Sequence, residues 1–94
     1  MNRNGYNESI LDTEYGICFI CGKSGHTHRH EVFGGARRTA SKKYGLWVNL
    51  CPECHRKVHK DGSLALDLKE ITQKEFMKNH TLKEFMNIAF RNYI

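Results

Sequence analysis

Two C-x-x-C knuckles, Cys18-Phe19-Ile20-Cys21 and Cys51-Pro52-Glu53-Cys54, account for all four cysteines of the 94-residue chain. Each knuckle sets two sulfurs on one tight turn, and two such pairs compose a tetrahedral zinc site. Any fold the chain adopts must therefore return to the first knuckle after an excursion of about thirty residues. His55 follows the second knuckle directly, so the same clamp delivers an imidazole to a defined place. The competing use of the four thiols is two disulfides, which a reducing compartment disfavours.

A chain of this length makes one domain with a modest core, the size class in which a structural metal commonly acts as a staple. Hydrophobic residues make up 39% and charged residues 27%, a globular rather than disordered balance. The segment from Met1 to Tyr15 has no apolar run of signal-peptide length, and no later segment is apolar enough to cross a membrane. The expectation is a cytoplasmic protein with no membrane association. A net charge of +5 favours a polyanionic partner such as DNA.

Along the chain, residues 1–15 read as a loose polar arm, 17–62 as a zinc-stapled core and 64–94 as a helical tail. His30 to Phe33 is a strand candidate, broken by Gly34-Gly35. The basic stretch Ala36 to Tyr44 follows, with Arg37, Arg38, Lys42 and Lys43 either contacting phosphates or forming a solvated loop. Leu46 to Leu50 reads as a second strand, and a helix is expected from Pro52–Cys54 to Lys60, ended by Asp61-Gly62. Asp67-x-x-Glu70 and Thr81-x-x-Glu84 have the form of capping boxes. They open helices with apolar residues Leu68, Ile71 and Phe76, then Leu82, Phe85, Met86, Ala89, Phe90 and Tyr93. That last stripe serves either packing or a protein partner. Trp47 reads as core.

A second cluster is open to metal binding. His55 and His59 are four apart, hence on one helix face, and His30 approaches from the first strand. Such a set suits either a divalent ion with open positions or a pair of ordinary surface histidines.

The run His30-Glu31-Val32-Phe33-Gly34-Gly35, with Arg37, Arg38, Ser41, Lys43-Tyr44-Gly45-Leu46, then Leu50 to His55, Val58 and His59, resembles HNH endonucleases. It is most similar to small phage-type members with a His-His-hydrophobic-Phe-Gly-Gly pattern. Gln73, Phe76, Phe85 and Asn92-Tyr93 resemble the helical tail of the same proteins, so the likeness runs from Cys18 to Ile94.

The resemblance implies an α+β fold, a ββα-metal finger followed by two C-terminal helices. It also implies hydrolysis of DNA phosphodiesters with one catalytic divalent cation (magnesium, manganese, nickel or zinc) besides the structural zinc. His30 and His55 match family ligands, and His59 matches a further ligand seen in some branches, including the colicin nucleases. The family's general-base histidine is replaced by Glu31, so the base is either Glu31 or, with a shifted register, His30 assisted by His28. The family's middle asparagine position holds Leu46, with Asn49 the nearby candidate. A member lacking its base would be a zinc-stabilised nucleic-acid-binding module rather than an enzyme.

Overall fold

A computed structural model describes residues 6–94. It is a small α+β fold of two antiparallel strands and four α-helices among the described residues. Strand β1 (His28–Glu31) pairs with β2 (Trp47–Leu50) in the register His28–Leu50, Arg29–Asn49, His30–Val48, Glu31–Trp47. Between them run a 3-10 turn, Gly35–Arg37, and helix α1 (Arg38–Tyr44). Helices α2 (Pro52–Lys60), α3 (Gly62–Phe76) and α4 (Leu82–Ala89) complete the chain.

Strand side chains alternate, so the register divides them between two faces. His28 and His30 share one face, on which the ring of His30 lies 5.2 Å from that of His55 on α2. Arg29, Glu31, Trp47 and Asn49 share the other. Every residue of β2 is buried because both faces are covered. The outer cover is the N-terminal segment: Trp47 Nε1 donates to the Asn7 carbonyl, Ser9 Oγ donates to the Trp47 carbonyl, and Asn49 N donates to Thr13 Oγ1. The expected loose arm is thus corrected over residues 6–15, where Tyr6 and Leu11 are buried. Residues 1–5 of that arm lie outside the described residues.

Gly45 makes this cover fit. Its φ of +70° ends α1, and a Cβ there would stand 2.0 Å from the Glu8 carbonyl oxygen. Ile10 N donates to the Gly45 carbonyl across the same junction.

Several expected boundaries move. The first strand starts two residues earlier and ends at Glu31, because Val32 and Phe33 turn into the core under α4. The basic stretch is mostly helix rather than loop: Ser41 is fully buried and its hydroxyl donates to the Phe33 carbonyl, locking α1 onto the end of β1. Asp67 caps nothing. Helix α3 begins at Gly62, and Asp61 is its cap, accepting from the N–H groups of Ser63 and Leu64. The Thr81–Glu84 capping box is present. In the tail, buried Gln73 donates to Asn92 Oδ1 and accepts from Tyr93 N, tying the C-terminal end to α3. Phe76 and Phe85 fill the space between the helices, whereas Ile71 and Phe90 are exposed.

Candidate metal centres

The first knuckle is a tight turn: Gly22 N donates to the Cys18 carbonyl, and Gly22 takes φ +75°, a conformation glycine adopts without strain. Cys18 N donates to the Lys23 carbonyl, closing the loop. The second knuckle is the start of α2. Cys51 is its N-cap, and its sulfur accepts from Cys54 N at 3.4 Å.

The sulfur atoms of Cys18, Cys21, Cys51 and Cys54 lie within 4.8 Å of one another, and all four cysteines are free. Cys21 Sγ and Cys51 Sγ are 3.9 Å apart. Tetrahedral Zn–S bonds of about 2.3 Å place sulfurs about 3.8 Å apart, whereas a disulfide needs about 2.05 Å. The four cysteines fit a structural metal such as zinc. Burial works against a thiolate at Cys18, but N–H groups of Cys21, Cys51 and Ile20 outweigh it and bring that thiol down to about 6. Cys54 is pushed up to about 12 by burial and by the neighbouring sulfurs. One readily ionised sulfur thus sits among groups whose ionisation a cation would favour.

The second cluster is made of imidazoles. One ring nitrogen each from His30, His55 and His59 lies within 4.8 Å of the others. His30 comes from β1 and is buried; His55 and His59 come from one face of α2. Burial, with His55 and His59 alongside, depresses the His30 pKa to about 4, and burial lowers that of His55 as well. A neutral imidazole is the form that ligates a metal. The donor set suits a divalent first-row ion.

The row extends further than the sequence pattern suggested. His28, on the same face of β1 as His30, has its Nδ1 3.2 Å from His55 Nδ1. The His26 ring packs edge-on against His28, with centroids 4.9 Å apart. Five imidazoles therefore form a continuous row, of which His28 has a place in the sequence reading as an assistant to His30 and His26 has none, since no spacing pattern points to it.

Two sequence candidates are not brought into this cluster. Asn49 lies on the opposite face of the sheet, buried, with its amide 3.5 Å from Thr13 Oγ1. Glu31 is turned the same way and is held by Tyr6 Oη at 2.5 Å and Arg38 Nε at 2.7 Å. Burial alone would raise its pKa, but these two donors outweigh burial and lower it. That makes Glu31 a weak proton acceptor.

The basic stretch is partly engaged in local contacts. Arg38 pairs with Glu31, the Arg37 guanidinium covers the Phe90 ring at 3.7 Å, and the Lys42 ammonium sits 5.1 Å from the Tyr6 ring. Lys43 is exposed, with its ammonium 5.4 Å from the Tyr44 ring. None of the described helices is long and apolar enough to cross a membrane. No family model matches the chain, and neither does any curated protein or solved structure with which it was compared.

Proposed function

We propose that the protein is a metal-dependent endonuclease of the HNH type that hydrolyses DNA phosphodiesters, its scaffold stapled by zinc on the four cysteines. One observation carries this reading: nitrogen atoms from His30, His55 and His59 converge within 4.8 Å, beside a sulfur cluster that joins the same helix to the preceding loop. The likeness of the His30–Gly35 and Leu50–His59 runs to that family points the same way. On this reading the two strands and α2 constitute the ββα-metal unit, and α3 and α4 brace it.

His30, His55 and His59 would hold the catalytic cation. A divalent ion bound there supplies Lewis-acid polarisation of a phosphodiester oxygen and charge stabilisation for the departing one. His30, buried and neutral, fixes the strand side of the site; His55 and His59 fix the helix side. The attacking water needs a proton acceptor. Glu31 is turned away and committed to Tyr6 and Arg38. His28 is exposed, faces the cluster and stands outside the triad, so we assign it that role. Lys43 and the exposed parts of Arg37, Arg38 and Lys42 add attraction for the phosphate backbone.

The test is plasmid nicking by zinc-loaded protein with magnesium, manganese or nickel, beside His55→Ala. Cleavage that falls at least about 100-fold in the variant supports the reading. Absence of cleavage with all three ions, or cleavage undiminished by the change, refutes it. The engagement of Glu31 favours one other reading, a nucleic-acid-binding module of the same fold without catalysis. That version is distinguished by salt-sensitive DNA binding without nicking.

A further inference from the structure

Beyond the imidazole row, the surface opens into a cleft of about 290 Å³ lined by Lys23, Ser24, His26, Cys51, Glu53 and Arg56. The zinc-type clamp builds it. Lys23, Ser24 and His26 stand on the loop after the first knuckle, Arg56 stands on α2, and Cys51 lies between them. The Ile17–Ser24 bridge and the Gly25 N to Gly16 carbonyl bond hold that loop in shape.

Among the described residues, neither the Lys23 nor the Arg56 side chain has an ion-pair partner. The cleft's one acid, Glu53, is engaged by Lys57 at 3.4 Å. Two unpaired cations therefore face the cleft. Its His26 wall continues into the triad, with centroids 4.9 Å from His26 to His28 and 5.4 Å from His28 to His55. That path spans no more than about three base steps of duplex at 3.4 Å each.

We infer that this cleft is a phosphate subsite of the nuclease surface, in which Lys23 and Arg56 take a backbone phosphate of the bound strand flanking the one at the histidines. The inference rests on the nuclease reading for its ligand. An Arg guanidinium matches phosphate geometry with two parallel donors, and Lys adds a point charge. Their anchors lie on two segments that the cysteine cluster joins, so the subsite exists only while the knuckles are clamped together. His26, Ser24 and the adjoining edge of His28 supply further hydrogen-bonding groups along the strand's path.

The experiment compares wild type with Lys23→Ala/Arg56→Ala, and with Lys74→Ala/Lys83→Ala, which removes the same charge from α3 and α4. A fluorescein-labelled DNA duplex is titrated without added divalent cation across about 50–200 mM salt. Zinc content and circular dichroism verify that each variant is folded. The expected result is a log–log salt slope shallower by about 2 in the cleft variant, from two lost phosphate contacts, and unchanged in the control. A cleft variant matching wild type, or matching the control, overturns the subsite while leaving the nuclease reading intact. Failure of the wild type to bind the duplex at all overturns both.

Discussion

Nδ1 of His28 stands 3.2 Å from Nδ1 of His55, joining the edge of β1 to the first turns of α2. This contact makes His28 a neighbour of the candidate metal triad without being part of it. It separates Glu31, a candidate base of the sequence reading that faces the Tyr6–Arg38 pair, from His28, there only an assistant to His30, which faces the imidazoles. Replacement of the two should therefore have unequal effects. In a nicking assay at saturating metal, His28→Ala should lose about 10²–10⁴-fold in rate. Glu31→Gln should stay within a few-fold of wild type. Equal losses would contradict the assignment of the base to His28.

The sulfur cluster should hold the fold as well as the ion. Structural zinc in small domains contributes folding free energy outright, because the ligands gather only in the folded state. Cys51 is an N-cap, a ligand candidate and a buried core residue at once. Cys51→Ser is expected to lose the bound zinc and the cooperative thermal transition together, read by metal analysis and circular dichroism. Retention of one zinc per chain with an unchanged melting curve would show that the thiols act separately.

Gly45 is expected to resist substitution. A methyl group there meets the Glu8 carbonyl at 2.0 Å on a backbone with φ +70°. Gly45→Ala combines a left-handed conformation with a backbone clash, each costing at least about 1 kcal/mol. For a domain of this size a loss of about 2 kcal/mol lowers the melting temperature by about 8 °C or more. An unchanged melting temperature would mean that the N-terminal segment does not pack over β2 as described.

Helix α4 carries its own pH dependence. Glu84 accepts from Thr81 N, chiefly for that reason has a pKa lowered from 4.5, and lies near His80 as well. A carboxylate whose folded pKa is depressed stabilises the fold above its unfolded value and ceases to do so as pH falls through the folded one. Stability should thus decline below pH 4.5 by a component that Glu84→Gln removes. Thr81→Ala should cost about 1 kcal/mol at neutral pH in a urea titration. A variant with the same acid branch as wild type would contradict the role given to Glu84.

The knuckles, the i,i+4 histidines and the Thr81 box were readable because each is a short-range pattern with one geometric outcome. What escaped the sequence was decided by tertiary contact. The polar segment 6–15 lacks periodicity, yet its hydrogen bonds to Lys42, Gly45, Trp47 and Asn49 make it a cover for the sheet. Gly62, a residue usually read as a stop, masks the helix cap at Asp61, so the sequence pattern starts α3 too late, at Asp67. The first strand starts two residues before its expected start, which puts His28 on it, on the face of His30, while His26 joins the row from the loop before the strand. Glu31 is close to the site in sequence but on the other side of the sheet; Asn49 is on that side too, as the alternation of side chains along β2 already indicates.

The most direct measurement is a calorimetric titration of nickel into protein that holds one zinc, with the metal content of each species determined. The expected result is one further ion per chain, bound by wild type and lost in His55→Ala/His59→Ala while the zinc remains. A wild type that takes up no second ion, or a double variant that binds it equally well, would contradict a shared site on His30, His55 and His59.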